Sequence, residues 1–385
     1  MADVFRWLGI GLAVLLVATV SVGAIAFTRI TGELHDHQVD IGTGGGTVPT
    51  IGAYSGAVNL LLVGSDTRNG QKGHYGSNPG STLNDVNILI RISQDHSKAA
   101  VISFPRDLYV DVPACPDPDH PGQKLDPESD VKINTTLEYG GVGCVRDTVA
   151  SLTGMQIPYV ALVTFDGVVE MSNAVGGVQV CVAKAIRDDY TGLRLSAGEH
   201  TLQGAQALEF LRTRHGVGDG SDLTRISSQQ VFLSSLVRKI KSSATLTDVT
   251  KLYGLSKAAA DSMVLSSTLG LDTMVSIARA VAPISLDRFV LVQYPTEVSG
   301  DGLVPNRSAA TTLIDAVKAD KTLRLAAKQK GATGGQGSVV EGGASPSPSP
   351  SPSASSSDGV DLPDTVVGQT AAQQTSSVGN DLGTR

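Results

Sequence analysis

The chain has 385 residues, with 30 lysines and arginines against 37 aspartates and glutamates, which gives a formal net charge of −7 at pH 7. Non-specific nucleic-acid binding needs a basic face, and stacking on single-stranded bases needs aromatic side chains. The acidic balance and the aromatic content of 4% therefore argue against a nucleic-acid partner. The length is ample for one α/β domain with terminal extensions.

The N-terminal region is predicted to anchor the protein in the cell membrane. Residues 1–6 form a short lead, and residues 7–27 are mostly apolar and carry no charge. A bilayer core needs roughly 20 such residues, so residues 7–27 are predicted to be an uncleaved transmembrane helix. The pattern Ala24-Ile-Ala26 leaves a cleaved signal peptide as the alternative. We expect the lead in the cytoplasm and the globular part outside the membrane.

Two further segments are predicted to lack a core. Residues 28–56 are rich in Gly and Thr, a composition typical of a flexible spacer. Residues 328–385 contain a Ser/Pro repeat at 345–357 and a polar end, so we predict a disordered tail. The globular domain is therefore predicted to span residues 57–327.

Within that domain, apolar runs alternate with helical patterns, which indicates a mixed α/β fold. The run Val86–Ile92 and the run Ala99–Phe104 are predicted to form a hairpin, so the sheet is not purely parallel. Other strands are predicted at 58–63, 159–165, 178–182 and 288–294, and helices at 144–152, 165–175, 202–211, 222–241, 248–255, 258–264 and 272–281.

A cluster of arginines is the strongest chemical signal in the sequence. Arg212 and Arg214 lie in Leu211-Arg-Thr-Arg-His215, where an extended chain would point both side chains to one side. Arg225 and Gln229 lie four apart on the following helix, which Ser221 or Asp222 is predicted to cap. Guanidinium forks match phosphate oxygens, so the group predicts a pyrophosphate site. The alternative for each single arginine is solvation or pairing with Asp219 or Asp222.

Three other positions follow or precede strands at the same predicted edge. Asp66 follows the first strand and Asp85 begins the next, and two carboxylates with phosphate oxygens are a usual way to hold Mg²⁺. The alternative is that Asp66 caps a turn and Asp85 pairs with Arg68. Arg106 leaves the strand that ends at Phe104, where ligand sites of α/β folds collect.

The remaining candidate positions are less specific. Lys132 precedes a helix that Asn134 or Thr135 is predicted to cap, and it is either a phosphate contact or a surface charge. Of the three cysteines, Cys115 and Cys144 are predicted to pair in an oxidising compartment, and Cys181 is predicted to be a buried thiol in a strand. The sequence contains no P-loop and no nucleophile elbow, which counts against an NTPase and against acyl hydrolysis.

Taken in order, these segments resemble the LytR-CpsA-Psr family of cell-envelope proteins, and the resemblance covers about residues 57–240. The segments that carry it are Leu61-Leu-Val-Gly-Ser-Asp-Thr-Arg68, Asp85-Val-Asn-Ile-Leu89, Ser103-Phe-Pro-Arg-Asp107, Lys132-Ile-Asn134, Phe165-Asp-Gly-Val168, Gly176-Gly-Val178, Leu208-Glu-Phe-Leu-Arg-Thr-Arg214, Asp222-Leu-Thr-Arg-Ile226 and Gln229-Gln230.

The resemblance implies a central mixed sheet sandwiched by helices and a transferase activity. Family members move a glycopolymer from a polyprenyl-pyrophosphate carrier onto peptidoglycan, so those substrates and the membrane are the implied partners. An apolar groove between sheet and helices would take the lipid. A hydrolase that uses water at the same site, or a non-catalytic lipid-carrier receptor, are the alternatives.

The resemblance also implies a role for each candidate residue. Asp66 and Asp85 would hold Mg²⁺ (or Mn²⁺), and Asp222 or an aspartate near the metal would act as base. Family members often carry an arginine where this chain has Ser228, which predicts either weaker phosphate binding or a different polymer preference here. The residues implied to grip the pyrophosphate or to lie near it are Arg68, Arg106, Lys132, Arg212, Arg214, Arg225 and Gln229.

Overall fold

The computed structural model describes residues 38–39, 56–68, 71–73, 75, 80, 82–120, 122–241, 263–330, 337–340 and 359–380. The predicted transmembrane helix, most of the predicted spacer and the helix predicted at 248–255 lie outside these residues. The helix predicted at 258–264 lies mostly outside them, and its last two residues are in a strand. Within the described ranges, no helix combines the length and the apolar character needed to cross a membrane.

The strands are labelled in chain order over the part of the chain that the structure describes. They are β1 (Gln38–Val39), β2 (Val58–Ser65), β3 (Asn84–Ile92), β4 (Ala99–Phe104), β5 (Tyr109–Val112), β6 (Glu128–Lys132), β7 (Tyr159–Val163), β8 (Val178–Lys184), β9 (Ile186–Asp188), β10 (Leu193–Leu195), β11 (Gly198–Leu202), β12 (Met263–Ser266), β13 (Phe289–Gln293), β14 (Thr296–Ser299), β15 (Gly302–Pro305), β16 (Thr322–Arg324), β17 (Ser338–Val340), β18 (Gly359–Asp361), β19 (Gly368–Thr370) and β20 (Thr375–Val378).

The helices are labelled in the same way. They are α1 (Thr136–Thr153), α2 (Phe165–Ala174), α3 (Ala205–Arg212), α4 (Asp222–Lys241), α5 (Leu271–Val281) and α6 (Arg307–Lys318), with short 3₁₀ turns at Ile133–Thr135 and Leu286–Arg288.

A mixed eight-stranded sheet forms the centre of the molecule, in the order β1-β12-β7-β2-β3-β4-β13-β19. The predicted hairpin is confirmed, because β3 pairs antiparallel with β4 and places Ile92 opposite Ala99. β2 is parallel to β7, and β4 is parallel to β13. The ends of β2, β4, β7 and β13 therefore share one edge of the sheet with the start of β3.

Helices cover both faces of this sheet. Side chains of a strand alternate between the two faces. In β2, Leu61 and Val63 pack into the core with α1 and α6, whereas Leu60 and Leu62 face the core that contains side chains of α2, α4 and α5. Each fully buried Leu or Val contributes about 1.5–3 kcal/mol by leaving water, so both layers depend on this alternation.

A smaller sheet, in the order β11-β8-β20-β17, packs on the outer side of α4. Its core includes Val180 of β8 and Phe232 of α4. We predicted an amphipathic helix at 222–241, but the segment from Asp222 to Phe232 is buried on every side because it lies between two sheets. Its polar residues are buried with it, and each therefore needs a hydrogen-bond partner.

The prediction of a disordered tail is wrong for residues 338–340, 359–361, 368–370 and 375–378, which form the strands β17 to β20. β19 pairs with β13 at the edge of the central sheet, and β20 lies between β8 and β17. The composition of these strands is polar, which explains the error. Two of their polar side chains are buried and bonded: Gln369 donates to the Gln230 carbonyl at 2.9 Å, and the hydroxyls of Ser377 and Ser228 are 2.7 Å apart.

The local predictions around α1 have mixed outcomes. The Cys115–Cys144 disulfide is confirmed, whereas Cys181 is half-buried rather than buried. Thr135 is the N-cap residue of α1, but its hydroxyl donates to the Lys132 carbonyl at 2.9 Å and makes no side-chain cap. Asn134 lies in the preceding 3₁₀ turn and does not cap α1 either.

Candidate functional site

A cavity of about 280 Å³ opens at the edge of the sheet where β2 and β7 end and β3 begins. We call it the arginine-lined cavity, because Arg106, Arg212, Arg214 and Arg225 all line it. The sheet forms one wall, and α2, α3 and α4 form the other.

The interior of the arginine-lined cavity is apolar. Ile88 and Leu62 come from the sheet, and Val168, Leu208 and Leu233 come from the three helices. The apolar groove that the family resemblance implied therefore exists in this chain between sheet and helices, with arginines around its opening. An apolar lining with a few convergent charged groups is typical of a ligand site.

Arg106 and Arg225 are fixed at the opening by carboxylates. Arg106 Nη1 donates to Asp85 Oδ1 at 2.8 Å, and Arg225 Nη2 lies 2.5 Å from Asp222 Oδ1 and donates to the Asp85 carbonyl at 2.9 Å. Burial by itself would lower the pKa of Arg106, but the charges of Asp85 and Asp222 outweigh it and the pKa is raised. Both guanidinium groups are therefore held in place at the opening by carboxylate and carbonyl oxygens.

The predicted base Asp222 lies behind these arginines rather than in the cavity. Its side chain is 3% exposed, and its Oδ2 accepts from the Arg106 backbone N–H at 3.0 Å. Ser221, not Asp222, provides the side-chain cap of α4, because its hydroxyl accepts from the Thr224 N–H at 3.3 Å. The geometry fits Asp222 for orienting two arginines better than for taking a proton from a ligand.

Arg212 and Arg214 reach the cavity by a different route from the one predicted. Arg212 is the last residue of α3, so the segment 211–214 is not extended throughout. Its guanidinium lies over the Phe165 ring, 4.4 Å from the centroid, and Arg214 Nε donates to the Gly220 carbonyl at 3.0 Å.

These two guanidinium groups have no carboxylate partner in an ion pair among the described residues. Burial and the nearby charge of Arg68 lower the pKa of Arg212. Arg212 is half-buried and lines the cavity together with Arg214. An anionic ligand at the opening would pair with both guanidinium groups.

Asp188 anchors the loop that carries this pair, and the sequence analysis missed it. It is 2% exposed, and its Oδ2 accepts from the Thr213 hydroxyl at 2.6 Å, the Arg214 N–H at 3.1 Å and the Gly216 N–H at 3.2 Å. Burial would raise the pKa of Asp188, but these hydrogen bonds to the carboxylate outweigh it and the pKa is lowered. No local sequence pattern around Asp188 signals this role.

Asp66 lies close enough to Asp85 for their charges to interact, and of these two aspartates Asp85 lines the arginine-lined cavity. Asp66 Oδ1 accepts from the Leu83 N–H at 2.7 Å. Burial raises the pKa of Asp66, and the charge of Asp85 raises it further. Within the described ranges no group of three or more His, Cys, Asp or Glu side chains is arranged to hold a metal ion. Two neighbouring carboxylates nevertheless match the one or two protein carboxylates that Mg²⁺ usually takes, with phosphate oxygens and waters as its other ligands.

Gln229 also lines the cavity, although its side chain is already bonded, with Nε2 donating to the Leu211 carbonyl at 2.9 Å. Arg68 is close enough to influence the pKa of Arg212 but is not part of the lining.

Two positions that the sequence analysis associated with the phosphate lie elsewhere. Lys132 Nζ is 3.0 Å from Asp301 and lies over the Tyr109 ring, away from the cavity. Ser228 is fully buried against the C-terminal strand β20. Its difference from the family pattern therefore does not change the residues that line the cavity.

Residues 27–321 match the sequence profile of the LytR_cpsA_psr family. The chain belongs to this family. It is 30% identical over 290 residues to the "Cell wall biosynthesis protein LcpA" of Corynebacterium glutamicum, a match that covers 68% of this chain and 54% of LcpA. It is 29% identical over 244 residues to the "Polyisoprenyl-teichoic acid--peptidoglycan teichoic acid transferase TagT" of Bacillus subtilis, covering 61% of this chain and 70% of TagT.

Solved structures share the fold. The "LytR-Csp2A-Psr enzyme from Actinomyces oris" has a TM-score of 0.54 and 22% sequence identity, and the match covers 73% of this chain and 94% of that one. The LytR-CpsA-Psr fold predicted from the sequence is therefore confirmed for the globular part. The chain spans about half the length of LcpA.

Proposed function

We propose that this LytR-CpsA-Psr protein transfers a glycopolymer from a polyprenyl-pyrophosphate carrier onto peptidoglycan. The observation that carries the proposal is that Arg212 and Arg214 line the opening of an apolar cavity and, among the described residues, have no carboxylate in ion-pair contact. A ligand that fits both features has a doubly charged phosphate group joined to a long apolar chain. A polyprenyl pyrophosphate has that composition, and a nucleotide does not.

The arginines would bind the pyrophosphate at the mouth while the polyprenyl chain enters the cavity. Each charge-assisted hydrogen bond contributes about 1.5–3 kcal/mol, and the apolar chain gains about 25 cal/mol for each Å² removed from water. Arg106 and Arg225 are pre-positioned by Asp85 and Asp222, so binding would cost little reorganisation of these two side chains.

The transfer step requires one bond to form and one to break. An acceptor hydroxyl oxygen bonds to the phosphorus that carries the glycan, and the bond from that phosphorus to the bridging oxygen breaks. The carrier leaves as a polyprenyl monophosphate, and the hydroxyl proton passes to a carboxylate. Asp222 does not line the cavity, so the proposed acceptor of that proton is an aspartate near the cation.

Positioning and charge stabilisation supply most of the catalysis in phosphoryl transfer. The four arginines would hold the pyrophosphate in line with the acceptor and stabilise the charge that develops on the leaving phosphate. Asp66 and Asp85 would hold a divalent cation, which when bound neutralises charge on the phosphate oxygens. Magnesium (or manganese) is the proposed cation.

The proposed location follows from the proposed substrates. Residues 7–27 would anchor the protein in the cell membrane, with the globular domain on the outer side, where the lipid carrier presents its glycan. An anchor also keeps the cavity near the bilayer surface, so the polyprenyl chain need not leave the membrane completely.

A transfer assay tests the proposal. The full-length chain in nanodiscs is mixed with a polyprenyl-pyrophosphate-linked, radiolabelled glycan, peptidoglycan and Mg²⁺, and the label that becomes insoluble with peptidoglycan is counted. We expect label in the peptidoglycan with the wild type. Arg214→Ala is expected to reduce the rate by about 10- to 100-fold, the equivalent of one lost charge-assisted contact.

The exposed Arg194→Ala removes the same charge away from the cavity lining and is the matched control, with an expected rate near that of the wild type. Release of free glycan without conjugate would identify a hydrolase instead. Tight carrier binding with no turnover would identify a receptor, and either result would overturn the proposed transfer.

A further inference from the structure

Tyr190 is an aromatic residue that the fold leaves in solvent at the mouth of the arginine-lined cavity. It is 81% exposed and is the one aromatic among the large, exposed hydrophobic side chains of the described residues. A single exposed hydrophobic side chain on a surface is ordinary. The position of Tyr190 is unusual, because Tyr190 and His215 both line the cavity.

The ring of Tyr190 is held in a defined orientation. It stacks on the imidazole of His215, with the ring centroids 4.2 Å apart and the planes 29° from parallel. The Tyr190 N–H donates to Asp188 Oδ1 at 3.0 Å. The other oxygen of the same carboxylate accepts from the Arg214 N–H. The buried side chain of Asp188 therefore fixes the Tyr190–His215 stack relative to the loop that carries Arg214.

The chemistry of this stack fits a sugar ring. His215 stacks on one face of the Tyr190 ring, and the high exposure of Tyr190 leaves other ring surface open to solvent. An aromatic face carries partial negative charge and attracts the polarised C–H groups on the less polar face of a pyranose. The hydroxyls at the rim of the sugar stay in water. A bare phosphate has no such C–H groups, so the aromatic face does not attract it in this way.

We propose that Tyr190, supported by His215, is a pyranose-binding platform that selects the glycan part of the substrate. This inference rests on the proposed function, in which a sugar is joined directly to the pyrophosphate and a second sugar supplies the acceptor hydroxyl. Either ring would be bound by the same chemistry, and the two arms of the test separate them.

The first arm is a pair of binding titrations with the full-length chain. One probe is farnesyl pyrophosphate, and the other is farnesyl pyrophosphate that carries a single N-acetylhexosamine. Tyr190→Ala is expected to weaken binding of the glycosylated probe by about 3- to 10-fold and to leave the bare probe unchanged. Tyr190→Phe keeps the aromatic face and is expected to bind both probes as the wild type does.

The second arm measures KM values in the transfer assay. A raised KM for the lipid-linked donor alone places the donor sugar on the platform, and a raised KM for a soluble peptidoglycan fragment alone places the acceptor sugar there. In the acceptor case Tyr190→Ala changes neither titration, and the raised acceptor KM supports the platform.

Two results would overturn the platform while leaving the proposed function intact. Equal weakening of both probes would mean that Tyr190 acts only by positioning Arg214. Unchanged binding of both probes together with unchanged KM values would mean that it binds no sugar. If the wild type bound neither probe, the proposed function itself would fail.

Discussion

Asp188 is the residue whose removal tests most sharply how the arginine-lined cavity is built. Asp188→Ala deletes a carboxylate that accepts four hydrogen bonds, from the Thr213 hydroxyl and from the N–H groups of Tyr190, Arg214 and Gly216. Three of these partners belong to the loop that carries Arg214 to the cavity. The substitution should therefore affect both the stability of the fold and the binding of an anion.

The expected loss of unfolding free energy depends on which hydrogen-bond donors Asp188→Ala leaves without an acceptor. Thr213 is fully buried and Gly216 is buried, so water cannot replace Asp188 at either position. A buried donor left unsatisfied costs about 1–3 kcal/mol, so the two together cost about 2–6 kcal/mol. Tyr190 is exposed, and its N–H can bond to water at little cost.

The assay is urea unfolding of the full-length chain, followed by far-ultraviolet circular dichroism with the Cys115–Cys144 disulfide intact. Asp188→Asn is the matched variant. Its amide oxygen can take the place of Oδ2 and keep three bonds, while its NH₂ opposes the Tyr190 N–H, so we expect a loss of about 1–2 kcal/mol. A free energy of unfolding for Asp188→Ala within about 1 kcal/mol of the wild type would refute the assigned role of this carboxylate.

Three further predictions concern the pH dependence of stability, the C-terminal strands and Lys132. The pKa of Asp188 is lowered in the fold, so its stabilising effect is complete above about pH 4, the usual range for aspartate, and disappears as pH falls through the lower folded value. Asp188→Asn should therefore flatten the dependence of unfolding free energy on pH below about pH 4. Parallel curves for the variant and the wild type would contradict this. Deletion of residues 359–385 removes the buried side chains of Leu362 and Val366 and should cost about 3–6 kcal/mol, measured by urea unfolding, whereas an unchanged midpoint would show that the C-terminal strands do not support the fold. Lys132→Ala should change the affinity for a polyprenyl pyrophosphate by less than about twofold. A tenfold loss of affinity in a titration would show that Lys132 contacts the ligand.

The candidate residues that the sequence placed at one edge of the sheet or on one helix face share a physical cause. Asp66, Asp85 and Arg106 lie directly at strand ends, and strand ends of a mixed sheet meet at an edge whatever the details of packing. Arg225 and Gln229 are four residues apart on a helix, a spacing that fixes their common face. These placements depend on local geometry and on one hairpin.

The parts that it did not predict depend on contacts distant in sequence. Asp188 bonds to Thr213 and Gly216, which are more than twenty residues away, and nothing in its own neighbourhood distinguishes it from a surface aspartate. The C-terminal strands are polar and short, so composition alone assigned them to a disordered tail. Their stability comes from the sheets and from α4, to which Gln369 bonds.

Ser228 illustrates how structure changes the meaning of a sequence difference. The residue replaces an arginine common in the family pattern, and from the sequence we expected weaker phosphate binding or a different polymer preference. In the fold it is buried, and its hydroxyl bonds to Ser377 of β20. The four arginines of the cavity are unaffected, so phosphate binding should not depend on Ser228.

The proposed function requires Arg212 and Arg214 to hold a pyrophosphate at the mouth of an apolar cavity. The dissociation constant of farnesyl pyrophosphate for the full-length wild type and for the double variant Arg212→Ala, Arg214→Ala measures this directly. We expect at least a hundredfold weaker binding by the double variant, because two charge-assisted contacts of about 1.5–3 kcal/mol are lost. Equal affinities, with both proteins folded by circular dichroism, would show that these two arginines do not bind the pyrophosphate.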